Sequence, residues 1–167
     1  MKQTTILALT TLVLAACNSA NDKAISNNKQ FIKTDSMPYS VKNISISINR
    51  PANEVYQFTS NPENFPKWVG FVKSITKQGE IWIGKTDIGD IKIKFAPQNY
   101  FGVIDHQVTL PDGVTVNNPM RVLANNKGCE LIFTLFWLPN RTEEEFNEDA
   151  KAVLGDLQKL KEIMENK

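Results

Sequence analysis

Few residues in this chain have side chains suited to reaction chemistry. There is one histidine and there are two cysteines. His106 directly follows Asp105 in the strand-like run 101–110. An imidazole and a carboxylate are the parts of a general acid–base pair. Neighbours in a strand point to opposite faces, however, so these two cannot form a dyad with each other. If Phe101 and Val103 face inward, Asp105 faces in with them. If Ile104 and Val108 face inward, His106 is the buried one. Both faces of the run are mixed, and both phases stand. A lone histidine is read first as a surface or satisfied core residue, and second as a ligand contact or general base. No serine or cysteine nucleophile signature, no glycine-rich phosphate loop and no metal-spaced His/Cys cluster is present. The glycines of "IWIGKTDIGD" lack the strand–loop–helix setting of a phosphate site. No catalytic residue, metal site or cofactor is assigned.

The cysteines suggest different chemistry. Cys17 closes an apolar run, and Asn, Ser and Asp follow it at once. Lys2 is the only charge before Asp22. About 11 residues of helix rise only ~16 Å, roughly half a bilayer core, so the run is too short to span. It has the form of a secretory signal. Leu14-Ala15-Ala16-Cys17 resembles the bacterial lipobox. That resemblance implies a signal peptide over 1–16 and a mature chain beginning at a diacylglyceryl-modified Cys17. Two or three acyl chains anchor firmly where one is marginal. The implied address is the bacterial cell envelope, with the domain outside the cytoplasm. Asn18 is not the Asp that retains some lipoproteins at an inner membrane, which is compatible with the outer one; inner and outer both stand. The alternatives are a plain signal peptide with an incidental Cys17, or a cytosolic chain with an apolar first helix. A lipidated Cys17 leaves Cys129 without a partner in the chain. Its apolar run, "GCELIFTLFWL", suits a buried thiol.

Segment 17–38 is rich in Asn, Ser, Lys and Asp and has no sustained period. It reads as a flexible tether with a reach of ~25 Å, interrupted by Phe31 and Ile32, which are expected to touch the domain. Formal net charge is only +1, which excludes the basic field that holds a nucleic acid.

From Tyr39 onward the periodicity is clear. Ile44, Ile46 and Ile48 alternate with Asn and Ser, which predicts a strand with one buried face. Pro51 ends it and suits a helix start. Val55, Phe58 and Thr59 fall at helical spacing. Asn61 and Pro62 open a second short helix carrying Phe65 and Trp68, and Pro66 keeps it short. Six further strands are expected between 71 and 138. They are separated by turns at Gln78-Gly79, Asp87 to Asp90, Ala96-Pro97, Pro111-Asp112-Gly113 and Asn125 to Gly128. After Thr142, an apolar stripe of Phe146, Ala150, Val153, Leu154, Leu157, Leu160 and Met164 predicts one long helix.

The order strand, two helices, six strands, helix resembles the START/polyketide-cyclase superfamily, the helix-grip fold. The stretches that carry the resemblance are "ISISINRPANEVYQFTSNPENFPKWV" and the segment from Phe101 to Met164. It covers 39–167, essentially the whole expected domain. It implies an α+β architecture: a curved, seven-stranded antiparallel sheet wrapped around the C-terminal helix. It also implies an apolar cavity between sheet and helix, open near the short helices. The candidate lining is Trp68, Trp82, Phe95, Phe101, Phe133 and Leu135, with Phe146, Leu154 and Leu157 on the helix. Asp105 and His106 are the polar candidates. Taken singly, each aromatic is as readily plain core. Three functions are compatible: a membrane-tethered binder of a small hydrophobic or amphipathic ligand, a cyclase- or dehydratase-type enzyme, or a lipoprotein acting by protein contact. The absence of a clear acid–base pair favours the binder.

Overall fold

The computed structural model describes residues 38–139 and 141–166. The expected signal peptide, Cys17, and the tether with Phe31 and Ile32 lie outside the described residues. The chain divides into two units between Tyr39 and Ser40, and the second, Ser40–Lys167, carries every element below.

Strand β1 (Val41–Ile48) follows the alternation of its isoleucines. It pairs antiparallel with β8 (Gly128–Phe136), setting Ile44, Ile46 and Ile48 opposite Phe133, Leu131 and Cys129. A period of two keeps all six on one face. Helix α1 (Ala52–Thr59) starts after Pro51 and buries Val55 and Thr59. The Thr59 hydroxyl donates back to the Val55 carbonyl at 2.7 Å, so it is satisfied inside the core. A 3-10 turn (Pro62–Asn64) is capped by Asn61 and leads directly into α2 (Phe65–Trp68), which buries both of its aromatics.

Five strands then form an antiparallel meander: β2 (Ser74–Gln78), β3 (Ile81–Thr86), β4 (Gly89–Phe95), β5 (His106–Thr109) and β6 (Thr115–Asn118). β7 (Met120–Asn125) leaves this group and pairs with β8, giving a second sheet of order β1-β8-β7.

Among the described residues eight strands form where seven are expected, because 115–125 does not run on as one strand. Pro119 breaks it. Proline has no N–H to give a ladder, and the chain changes sheets there. The joint is pinned on both sides: Ile104 N–H donates to the Met120 carbonyl at 2.9 Å, and Thr134 N–H donates to the Pro119 carbonyl at 3.0 Å. The run 101–110 is also shorter as a strand than expected. Residues 97–103 form a loop, and β5 begins only at His106.

Helix α3 (Glu143–Glu165) opens with a capping box between Thr142 and Glu145 and three acidic residues that suit the dipole of its N-terminus. It lies on β1, β8 and α2. Phe146, Leu157, Leu160 and Met164 are buried, and Leu154 is not, at 40% exposed. Four residues of its polar flank are tied across. Asn147 bonds Lys42. Lys161 donates to the Ser47 carbonyl at 2.7 Å, Glu165 accepts from Asn49 N–H at 2.7 Å, and Asp156 accepts from Gly70 N–H at 2.9 Å. Among the described residues no helix is long and apolar enough to cross a membrane.

Candidate functional site

The cross-strand register sorts the five-stranded sheet into two faces. Lys77, Trp82, Ile93 and Val108 are opposite one another along one row, and Phe95 and His106 along the next. Ile91, Ile93 and Val108 are buried on this face, so it is the inner one. At the end where β2 turns into β3, the inner face runs out from under the core. There it meets the C-terminal end of α1 and the 3-10 turn, and the three enclose an open basin of about 490 Å³.

Trp82, Phe95 and Ala96 make the basin's apolar side, and Pro62 faces them from the 3-10 turn. The remaining lining is polar. Gln57, Ser60 and Asn61 come from the helical side, and Lys77, Glu80 and Gln98 from the strand ends. The Ser60 hydroxyl oxygen is buried and has no hydrogen-bond partner among the described residues. A hydroxyl in that state is left unmatched beneath the basin's helical wall, at a cost of about 1–3 kcal/mol.

Behind Phe95 stands an aromatic cluster. Phe65 meets Phe95 edge to face at 5.4 Å and Trp68 at 5.2 Å. His106 lies 5.4 Å from Phe65 and 5.4 Å from Phe95, with Phe133 at 6.4 Å. Offset and edge-to-face contacts of this kind add to what burial alone contributes. The Trp68 indole N–H, like the Ser60 hydroxyl, is buried without a partner among the described residues.

His106 is therefore inward, and the phase that buries Ile104 and Val108 is the one adopted. Its Nδ1 lies 3.2 Å from the Ile104 carbonyl oxygen and donates to it as the neutral ring. Burial pushes its pKa down to about 4, against smaller upward pulls from that carbonyl and from Asp105. Asp105 points the other way and is half exposed. It accepts from Met120 N–H at 2.8 Å and pairs with Arg121. Partial burial opposes its charge, but Arg121 and the Met120 N–H outweigh that and hold the carboxyl below its usual range.

The basin lies beside α1 and the 3-10 turn, at the end of the sheet, and its lining includes no residue of the long helix. α3 lies over β1 and β8, and Leu157 is 1% exposed there. Of the ten lining candidates, Trp82 and Phe95 line the basin. Trp68, His106 and Phe133 belong to the cluster behind it. Leu157 is core, and Leu135 is packed at the core's margin. Three candidates are elsewhere. Leu154 lies on the outer edge of α3, Asp105 just precedes β5 and points to the outer side, and Phe101, 82% exposed, projects from the 97–103 loop. The helix candidate Phe146 stacks on Trp137 at 5.3 Å, away from the basin lining. Sequence reasoning missed Gln57, Ser60, Lys77 and Gln98. Each is an ordinary polar residue with no motif around it, and only the register brings them together.

No protein-family model matches the chain, and no curated protein matches it. Solved structures do match. A START superfamily protein from Mycobacterium smegmatis superimposes with a TM-score of 0.58 at 9% identity, covering 75% of this chain and 97% of that one. The chain has the helix-grip fold. Protein XoxI from Bacillus cereus matches the helix-grip domain with a TM-score of 0.62 at 13% identity, over 75% of this chain and 95% of its own. Ara h 8.0201 gives 0.59 at 13% identity, over 77% and 99%. At such identities the likeness is one of fold, and the chemistry of the basin has to be argued from its own residues.

Proposed function

We propose that this chain is a lipid-anchored envelope protein whose helix-grip domain binds a small amphipathic molecule in the basin. The observation that carries the reading is the basin's composition. An apolar side of Trp82, Phe95 and Ala96 faces a polar side that includes Gln57, Asn61, Gln98 and the Lys77 ammonium. An apolar body with one polar or anionic end satisfies both. Such sites hold their ligands with a few placed polar groups on apolar walls. The START superfamily protein supports the reading by its fold alone. The lipid anchor is supported by Leu14-Ala15-Ala16-Cys17 and the apolar run before it.

Binding is tested with 1-anilinonaphthalene-8-sulfonate, an apolar double ring with one anionic group. It is expected to bind the folded protein one to one. Ser60→Trp, which fills the basin from its helical side, is expected to weaken it at least tenfold while the melting temperature stays within a few degrees. Probe binding that survives Ser60→Trp unchanged rejects the basin. Turnover found in a substrate screen, and lost in a basin variant, replaces the binder by an enzyme. The anchor is tested separately: a clickable fatty acid is expected to label the wild type in cells and not Cys17→Ser.

A further inference from the structure

The segment from Phe95 to Ile104 holds ten residues without a charge. Its middle is the 97–103 loop, where Tyr100 is fully exposed and Phe101 is 82% exposed. Single exposed apolar residues are commonplace. Two adjacent aromatics at the tip of a loop built to hold them there are a different matter.

The Asn99 side chain organises the loop from within. Its Nδ2 donates to the carbonyls of Pro97 and Val103, both at 2.9 Å, and its Oδ1 accepts from the N–H groups of Phe101 at 3.0 Å and Val103 at 3.1 Å. From outside, Asn99 N–H donates to the Tyr56 hydroxyl on α1 at 2.7 Å. The far side is fastened to β7, where Val122 N–H donates to the Gly102 carbonyl at 2.9 Å. Gly102 has φ +70°, and a Cβ there would collide with the Val122 carbonyl oxygen. The backbone is thus fixed on three sides while both aromatic side chains stay in solvent.

We infer that Tyr100 and Phe101 form a bilayer-contacting tip that sets the mouth of the basin against the membrane surface. A rigid pair of aromatics on an uncharged loop has the chemistry of the lipid interface, where amphipathic rings settle at headgroup level. The tip is next to the basin, since Gln98 and Ala96 line it. The inference rests on the anchored reading of Cys17. Only 23 residues separate that cysteine from the first residue of β1, so an anchored domain never leaves the membrane's vicinity. A contact too weak to recruit a free protein is then populated, because the anchor makes it intramolecular.

The test uses the full lipidated protein in vesicles of phosphatidylethanolamine and phosphatidylglycerol. Cysteine is placed at the tip (Phe101→Cys) or at the opposite end of β5 (Asp112→Cys) and labelled with bimane, the native Cys129 being buried. Nitroxide-bearing lipids are expected to quench the label at 101 at least twofold and to leave the label at 112 unchanged. No quenching at 101, or equal quenching at both positions, overturns the inference. Shielding of position 101 only when envelope proteins are added, with no quenching by lipid, overturns it in favour of a protein partner. As a second variant, Tyr100→Ser/Phe101→Ser is expected to slow transfer of a fluorescent fatty acid between basin and vesicle roughly tenfold, with its affinity for the basin unchanged. An unchanged transfer rate counts against the inference. If no probe enters the basin but position 101 is quenched, the binding function fails and the membrane tip stands. If Cys17 carries no lipid, the anchored reading and this inference fall together; a lipidated chain whose position 101 is not quenched overturns the inference alone.

Discussion

His106 should make this protein lose stability as pH falls from about 6.5 toward 4. The ring is 5% exposed, inside a cage of Phe65, Phe95 and Phe133. Its folded pKa is about 4, against 6.5 for the free side chain. The folded value lies below the unfolded one, so between these limits the unfolded chain binds more protons. Stability is therefore full above pH 6.5 and is lost as pH falls through the window. The whole shift, 6.5 − 4 = 2.5, corresponds to about 3 kcal/mol, of which about 2 kcal/mol falls between pH 7 and pH 5. Asp105, Glu145 and Glu165 are held below the usual carboxylate range and titrate under that interval. Asp156 is pushed up by its burial. Its protonation favours the folded state and so opposes the loss. An Asp156→Asn background removes it and keeps the oxygen that accepts from Gly70. Urea unfolding at pH 7 and pH 5 should then show the ~2 kcal/mol loss with His106 and almost none with His106→Phe, a side chain the cage can hold. An equal loss in both proteins would refute the argument, whatever the absolute stability of the variant.

Three further outcomes are expected. Leu157→Asp places a carboxylate at a position 1% exposed and should cost at least about 4 kcal/mol or prevent folding, while Leu154→Asp, at 40% exposure, should stay within about 1 kcal/mol in thermal melts. The Cys129 thiol is buried and its pKa is raised by that burial, so a thiol reagent should modify the native protein slowly and the unfolded one fast; rapid native modification contradicts the packing. Asp105→Ala strips an acceptor from Met120 N–H and an ion partner from Arg121, and should cost about 1–3 kcal/mol by urea unfolding without altering probe affinity; a changed affinity would show that Asp105 acts on the basin after all.

Much of the fold was legible because much of it rests on local periods. The isoleucines of β1, the prolines that start and shorten the two early helices, and the capped acidic start of α3 each specify one element without help from the rest. The helical period includes Leu154 in the stripe although it is 40% exposed, since a 3.6-residue period cannot say where an apolar face ends without the surface it meets. The basin was hardly legible at all. Trp82 and Phe95 were found as aromatics on an alternating face. Ser60, Gln57 and Lys77 were not, because α1 and β2 are brought together only by the turn at Pro62 and the register of β2 on β3. Phe101 sits in a loop where its run has the alternation of a strand. Nothing in a period of two reveals that Asn99 diverts the backbone with four side-chain hydrogen bonds of its own.

The pair Asp105-His106 shows how one dipeptide serves two unrelated purposes. Being adjacent in extended chain, the residues face opposite ways, so the carboxylate and the imidazole were never going to share a proton. His106 goes inward and closes the aromatic cluster behind the basin. Asp105 goes outward at the place where the chain changes sheets. Pro119 ends the β6 ladder there, and the next residue, Met120, has an N–H that needs an acceptor. The register of β7 on β8 supplies none from the meander side, and Asp105 supplies it, with Arg121 balancing the charge. Its lowered pKa, which at an unknown site invites a catalytic reading, follows from that structural duty. The basin's chemistry therefore has to come from its own rim, where Lys77 and Glu80 are the ionisable groups. A lone ammonium and a lone carboxylate on an open rim can steer and hold an amphipathic molecule. Both side chains are exposed, so each can meet the charged or polar end of a molecule that enters, and the substrate screen decides whether anything is turned over there.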